Sequence, residues 1–315
     1  AALPARELTD VALDDLLGFY NHPVKGFFRD FAVALPSESD VVEDAIAVEM
    51  DSLASWAVGN RMLDDMLRGH DAKWALEAEW RRGQLPPGQL GWRIARESGK
   101  IANQLAASAF GYRGGAESSV DLDLGLDLDP GPDRRLTGTV TPVYGARYVA
   151  VGYSKLGPKN LLQAWIRLLA LYAADPGTEW TAVCIGRRGR SGVDVRAFGR
   201  PDRPAAELLS ELVAIYDAGL REPLPIPLKA SYAWAEARKT RDDPMREAQF
   251  IWASGNFAEN SEDAHARAWG QGAPLRALLA PPRPEEEIRG ESTRLGALAA
   301  RIWAPLLAAE QEPRA

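Results

Sequence analysis

The chain has 315 residues, of which 46% are hydrophobic and 26% are charged, and its formal net charge is −7. This composition excludes intrinsic disorder of the whole chain and supplies enough apolar residues for one large domain or two small ones. Its longest apolar runs, such as residues 168–174, are far shorter than the roughly 20 residues of a membrane-spanning helix.

Cysteine and histidine are scarce. The single cysteine, Cys184, excludes an internal disulfide framework and any four-thiolate metal or iron–sulfur site. The three histidines, His22, His70 and His265, are scattered along the sequence, so we expect no structural zinc site, no other bound metal and no cofactor.

The first residues, AALPARELTD, contain neither the basic segment nor the apolar core of a secretory signal, and we expect a cytoplasmic protein. They also lack an initiator Met. We therefore expect the chain to be part of a longer protein.

The first third of the chain has the periodicity of amphipathic helices. Apolar residues at three- and four-residue spacing precede Pro23, which cannot continue a helix, and a second apolar stripe follows it. A histidine before a proline, between two apolar helices, is more often a packed or capping residue than a ligand, and we predict that role for His22. Further helices are predicted at 49–68, 71–82 and 89–109. The two stripes consist of Leu13, Leu16, Leu17 and Tyr20, and of Val24, Phe27, Phe28 and Phe31.

Residues 120–129, VDLDLGLDLD, alternate apolar and acidic side chains with period two, which is typical of a strand. The carboxylates of this strand repeat about every 7 Å along one face, so they do not converge on a single point as the ligands of a cation must. We therefore predict a solvated strand face and no cation site. These carboxylates belong to Asp121, Asp123, Asp127 and Asp129.

The central part of the chain continues with predicted strands at 136–144 and 147–153, a helix at 161–174 with Asn160 as its N-cap, and a hairpin at 181–198. From Pro204 the chain is helical again. This order predicts an α/β (α+β) fold in which a small mixed β-sheet is surrounded by helices.

We expect a single domain. Its predicted parts are a helical N-terminal region over 1–112, a sheet core over 113–200 and a helical C-terminal region over 201–315. Generic active-site motifs are missing, because the sequence has no GxxxxGK[ST], no GxGxxG after a strand, no HExxH and no GxSxG.

The tip of the predicted hairpin at 181–198 is the best local candidate for contact with DNA phosphates. The alternative is that these cations serve only solubility. The tip carries Arg187, Arg188 and Arg190, with Arg196, Arg200 and Arg203 downstream.

Residues 136–172, which begin LTGTVTPVYGARYVAVGYSKLGPKN, resemble the catalytic core of the PD-(D/E)XK nucleases, in the branch found in RecB-type nuclease domains. The resemblance implies a restriction-endonuclease-like sheet followed by a helix that carries Gln163. It places the two metal carboxylates at Thr141 and Gly152 and the lysine at Ser154. Because that chemistry needs carboxylates that converge on Mg²⁺, we predict an inactive site.

One alternative remains open, an active DNA exonuclease with relocated metal ligands that include Asp127 or Asp129. Lys155 follows the lysine position by one residue and would point to the opposite face of a regular strand. A small-molecule enzyme is disfavoured because no nucleophile, base or cofactor motif is recognisable.

The segment ELTDVALDDLLGFYNHPVKGFFRDFAVALP, residues 7–36, resembles the opening of the C-terminal region of the RecC family, the gamma subunit of exodeoxyribonuclease V. The shared pattern is Leu-x-x-Leu-hydrophobic-x-Phe-x-x-His-Pro-hydrophobic-x-x-Phe. Two later stretches, YSKLGPKNLLQAWIRLLAL and RPDRPAAELLSELVAIYDAGLREPLPIPLKASYAWA, resemble the same family, and together they cover most of residues 8–235.

This second resemblance implies a nuclease-like domain without a working active site, inside an ATP-dependent helicase–nuclease that processes double-strand DNA ends for repair. RecB-like and RecD-like subunits would cut DNA and hydrolyse ATP. The domain would dock these partners and guide double-stranded or forked DNA.

Overall fold

A mixed sheet with helices on both faces forms the centre of the molecule. The computed structural model describes residues 8–29, 52–126, 134–189, 192–255 and 258–314. The strands are β1 (Val11–Ala12), β2 (Glu117–Leu126), β3 (Arg134–Tyr144), β4 (Arg147–Lys155), β5 (Thr181–Arg188), β6 (Gly192–Phe198) and β7 (Glu310–Gln311). The helices are α1 (Leu13–Asn21), α2 (Pro23–Phe28), α3 (Ser52–Leu67), α4 (Ala72–Arg81), α5 (Gly88–Tyr112), α6 (Pro158–Ala174), α7 (Ala205–Gly219), α8 (Leu228–Thr240), α9 (Pro244–Ala253), α10 (Asp263–Trp269) and α11 (Arg294–Ala308).

The seven-stranded sheet has the order β1-β3-β4-β5-β6-β7, with β2 also paired to β3. β2, β3 and β4 are joined as antiparallel neighbours, whereas β5 lies parallel to β4 after the crossover through α6. This confirms the predicted fold class and the predicted order of strands around one central helix.

β3 and β4 separate from each other soon after the turn that joins them. Their paired residues are Val143 with Tyr148 and Tyr144 with Arg147. Further along, β1 pairs with β3 in parallel at Leu136 and Thr137. Gly138 has a positive φ of 148°, and a Cβ there would lie 2.8 Å from that of Leu13. The start of α1 therefore packs directly on β3 where β4 has left it.

Alternate residues of the central strands fill two separate hydrophobic cores, as the period of two requires. On β5, Ala182 and Cys184 belong to the larger core with α1, α6, α7, α8 and α11. Val183 and Ile185 belong to the second core, with α3, α4 and α5. The sheet is thus covered on both faces, which explains why β5 reads as a continuous apolar run.

The predicted start of the central helix was wrong. α6 begins at Pro158 and not at 161, and its N-cap is Gly157 and not Asn160. Asn160 lies in the first turn, where its Oδ1 accepts a hydrogen bond from the Gly157 amide at 3.2 Å. Pro158 explains the earlier start, because its fixed φ suits the first helical position.

The N-terminal predictions agree with the structure where they fall on described residues. His22 is the N-cap of α2, and its Nδ1 accepts a hydrogen bond from the Lys25 amide at 3.2 Å. Phe31 of the second predicted stripe lies outside the described residues. No helix in the described ranges has the length and apolar character needed to cross a membrane.

Candidate functional site

A cavity of about 100 Å³ lies between β4 and α6, where the sequence resemblance places nuclease chemistry. Gly152, Ser154 and Gln163 are among its lining residues, and Thr141 is not. None of the described residues that line this cavity is acidic. Mg²⁺ prefers carboxylate ligands, and the cavity therefore presents no such ligand to it.

The polar groups around this cavity are engaged in packing contacts. Ser154 Oγ accepts a hydrogen bond of 2.8 Å from the indole Nε1 of Trp56, on α3. Gln163 Nε2 donates to the carbonyl of Leu17 at 2.6 Å, and its Oε1 accepts from Arg167 at 3.1 Å. Both side chains thus fix neighbouring elements. Tyr148 and Cys184 also line the cavity, and burial raises the pKa of both, which keeps them protonated near neutral pH.

The two positions that the resemblance assigns to metal carboxylates, Thr141 and Gly152, differ in their surroundings. Thr141 is exposed on β3, away from the cavity. At Gly152, an added Cβ would meet nothing within 4 Å, so the backbone leaves room for a side chain that the sequence does not supply.

A bulge interrupts β4 between Val151 and Lys155. Val151 pairs with Ile185 and Lys155 pairs with Arg187, so two extra residues of β4 lie between these pairs. Lys155 is exposed and does not line the cavity. Because two extra residues leave the alternation after the bulge unchanged, Lys155 shares the face of its ladder partner Arg187.

The acidic face of β2 pairs across the sheet with β3. Thr139 Oγ1 donates to Asp121 at 2.8 Å, and Arg135 forms an ion pair with Asp123. The same ion pair lowers the pKa of the Asp123 carboxyl. Asp127 and Asp129, on which the alternative of an active exonuclease depends, lie outside the described residues.

The hairpin between β5 and β6 holds the arginines predicted to contact DNA. The guanidinium of Arg187 lies 4.7 Å from the ring centre of Tyr153 and is half-buried. Arg188 is exposed and forms an ion pair of 3.3 Å with Asp194. Arg190 lies outside the described residues. The three downstream arginines are each in an ion pair: Arg196 with Glu310, Arg200 with Glu179 and Arg203 with Glu211.

Sequence reasoning missed a basic stripe with two tryptophans on the outer helices. Arg93, Arg96 and Lys100 occupy one face of α5, are exposed, and have no ion-pair partner among the residues that the structure describes. Near the start of α5, the rings of Trp92 and Trp80 stack at 4.5 Å, and each residue is 37% exposed. The spacing of the cations was a readable signal, whereas the stacking depends on how α4 packs against α5.

Sequence reasoning also missed a cluster formed by His22, Glu262 and His265, whose ligand atoms lie within 4.8 Å of one another. Burial opposes ionisation of Glu262, but the hydrogen bond from His22 and nearby positive charges outweigh it and lower its pKa to about 2. Burial also lowers the pKa of His265 to about 4 and raises that of neighbouring Glu259 to about 7. Since His22 and Glu262 are 240 positions apart, no local pattern indicated this cluster.

Comparison with known proteins agrees with the geometry. The RecC C-terminal domain family matches residues 8–239. The RecBCD enzyme subunit RecC of Mycobacterium tuberculosis (strain H37Rv) is 53% identical over 311 residues, which are 98% of this chain and 28% of that protein. The subunit of the same name from Mycolicibacterium smegmatis is 54% identical over 314 residues, 99% of this chain and 28% of that protein.

The fold and the cavity define a mixed α/β domain in which the described residues around the cavity lack the acids of a metal-dependent nuclease. The chain belongs to the RecC C-terminal domain family. It spans 28% of the length of the RecC proteins that it matches.

Proposed function

We propose that this chain is a nuclease-like domain without nuclease activity, and that it serves a RecC-type subunit as a scaffold. The subunit would work in the cytoplasm within an exodeoxyribonuclease V-type helicase–nuclease that repairs double-strand breaks. Cutting and ATP hydrolysis would belong to RecB-like and RecD-like partners, which this domain would help to dock. The printed name of the relatives, RecBCD enzyme subunit RecC, supports these partners.

One observation supports the proposed lack of nuclease activity: the cavity between β4 and α6 has no acidic residue among its described lining residues. Hydrolysis of a phosphodiester by this class of site requires cations that activate water and stabilise the developing charge. Gly152 provides no ligand, and the hydroxyl of Ser154 is held by Trp56. The PD-(D/E)XK ancestry of the fold is supported by the order β2-β3-β4-α6-β5 and by the divergence of β3 from β4.

We further propose that the domain guides DNA through cations on two surfaces. The first is the hairpin with Arg187, Arg188 and Arg190. The second is the face of α5 with Arg93, Arg96 and Lys100, whose charges have no acidic partner in the described parts of the chain. Phosphate contacts of this kind position DNA without reading its sequence.

A nuclease assay tests the inactive site. Full-length protein that contains this chain, purified without partner subunits, is incubated with Mg²⁺ or Mn²⁺ and with labelled single-stranded and duplex DNA. We expect no cleavage. The alternative of relocated ligands predicts cleavage that is lost in Asp127→Ala or Asp129→Ala and retained in the matched variant Asp121→Ala.

A complementary assay uses the complex reconstituted with RecB-like and RecD-like subunits. Thr141→Val and Ser154→Ala should each leave DNA degradation by the complex within about twofold of the wild-type rate, because neither side chain would hold a metal. A loss of degradation above about tenfold in both variants, with the complex still assembled, would show that the domain takes part in cutting.

A further inference from the structure

His22, Glu262 and His265 line a second cavity, of about 190 Å³, that the proposed nuclease-like role does not use. His22 lies at the junction of α1 and α2, and the other two residues lie at the start of α10 and within it. The cluster therefore connects the N-terminal helices with the C-terminal helical region.

His265 has the tautomer that metal-binding histidines commonly have. Its Nδ1 lies 2.7 Å from the carbonyl oxygen of Glu259, which can only accept, so Nδ1 carries the proton. Nε2 is then the unprotonated nitrogen. Histidines that ligate metals commonly donate their other ring N–H to a backbone carbonyl, which fixes both tautomer and ring orientation.

Glu262 divides its two oxygens between different partners. Oε2 lies 3.0 Å from His22 Nε2 and 3.8 Å from the protonated Nδ1 of His265, and the ligand atoms of the three residues lie within 4.8 Å of one another. Oε1 lies 3.4 Å from Lys229 Nζ. One carboxylate oxygen is thus available to the histidines while the other is satisfied by a half-exposed lysine.

Two imidazoles and one carboxylate are a donor set that suits Zn²⁺, and a site with three protein ligands keeps a further position open for water. Here the cavity lies beside the three side chains and would hold that water. We propose that His22, Glu262 and His265 bind one Zn²⁺ ion, which links the α1–α2 junction to α10.

Binding has an identifiable cost at His22. In the metal-free protein its Nδ1 accepts the Lys25 amide hydrogen, so Nε2 carries the proton and donates it to Glu262. Ligation through Nε2 requires the other tautomer, in which Nδ1 holds the proton and the helix cap is released. The zinc ion would take the place of the proton that His22 and Glu262 now share.

The test is a zinc titration of the full-length natural protein, stripped of metal with a chelator and then dialysed. Calorimetry gives stoichiometry and affinity, and Co²⁺ absorption reports nitrogen and oxygen ligands in a four-coordinate site. We expect the wild type to bind one equivalent more than Glu262→Gln and His265→Gln. His70→Gln is the matched control, because His70 stacks on Trp74 away from the cluster and should not change binding.

Lys229→Met separates ligation from a general effect on folding. It removes a cation 3.4 Å from the ligating carboxylate without changing a ligand, so zinc should bind at least threefold more tightly. If wild type, Glu262→Gln and His265→Gln bind the same number of zinc ions with affinities within threefold, the proposal is overturned. The cluster would then be only a hydrogen-bonded link, and the proposed role of the domain would stand unaffected.

Discussion

Four residues of the C-terminal region form a network of partly buried ion pairs. Arg294 contacts Glu222 at 2.5 Å and Glu286 at 2.6 Å, and Arg283 contacts the other oxygen of Glu222 at 2.5 Å. Burial disfavours the ionised form of Glu222, but the two guanidiniums outweigh this and hold its pKa below the usual value. The network ties the segment after α7 to the start of α11.

Glu222→Gln should lower the free energy of unfolding by about 1 to 2 kcal/mol at pH 7, because it leaves the partly buried Arg294 with one carboxylate partner instead of two. Since the pKa of Glu222 is lower in the folded state, its contribution is complete above the unfolded value near 4.3 and is lost as the pH falls through the folded value. Urea unfolding at several pH values measures the difference.

The matched control for this prediction is Glu285→Gln, which changes an exposed carboxylate near the same segment. It should alter stability by less than about 0.5 kcal/mol. If the Glu222 variant is as stable as this control at pH 7, the network contributes nothing measurable.

Secondary-structure elements were predicted well where the signal is local. The period of two in VDLDLGLDLD and the apolar run of β5 were readable because burial on one face or on both leaves a direct trace in the sequence. The start of α6 was misplaced because Asn160 and Gly157 are both acceptable N-caps. Pro158 favours the earlier start, since its fixed φ suits the first helical position and its missing N–H leaves no donor unsatisfied there.

The contact between α3 and β4 gives a prediction at this scale. A Cβ at Gly59 would lie 2.0 Å from Cζ of Tyr153, a buried ring whose hydroxyl is directed at the Ser98 carbonyl. Gly59→Ala should therefore destabilise the fold by about 2 to 3 kcal/mol through overpacking. Thermal unfolding is the measurement.

Gly152→Ala is the control, because the same added methyl group would meet nothing within 4 Å. Its stability should stay within about 0.5 kcal/mol of wild type. Equal losses for Gly59→Ala and Gly152→Ala would mean that α3 does not pack on Tyr153 as described.

At the scale of the whole molecule, sequence reasoning failed for residues that meet across the fold. Gly152 and Ser154, two positions that the resemblance singled out, line one cavity. The resemblance could not show that Thr141 lies outside the cavity, since this depends on how β3 separates from β4. The meeting of His22 with His265 is of the same kind, because tertiary packing alone brings them together.

Net charge is also a poor guide to whether one surface of a large protein can bind DNA. The value of −7 argues against a strongly basic protein. Yet two stacked tryptophans and three cations, which have no ion-pair partner in the described parts of the chain, share one part of the α4–α5 surface. Proteins hold single-stranded DNA with cations that lie along its phosphate backbone and with aromatic rings on which its bases stack. This surface therefore gives the last prediction.

Replacing Arg93, Arg96 and Lys100 together by glutamine should weaken binding of a labelled oligo-dT strand, measured by fluorescence anisotropy over a range of salt concentrations. Each phosphate contact on single-stranded DNA contributes about −0.7 to the slope of log K against log salt, so losing three contacts should make the slope less steep by about 2. The matched variant replaces three exposed arginines elsewhere, Arg241, Arg276 and Arg289, and so changes net charge equally. If both triple variants reduce the slope by the same amount, only net charge matters and α5 is not a DNA-binding surface.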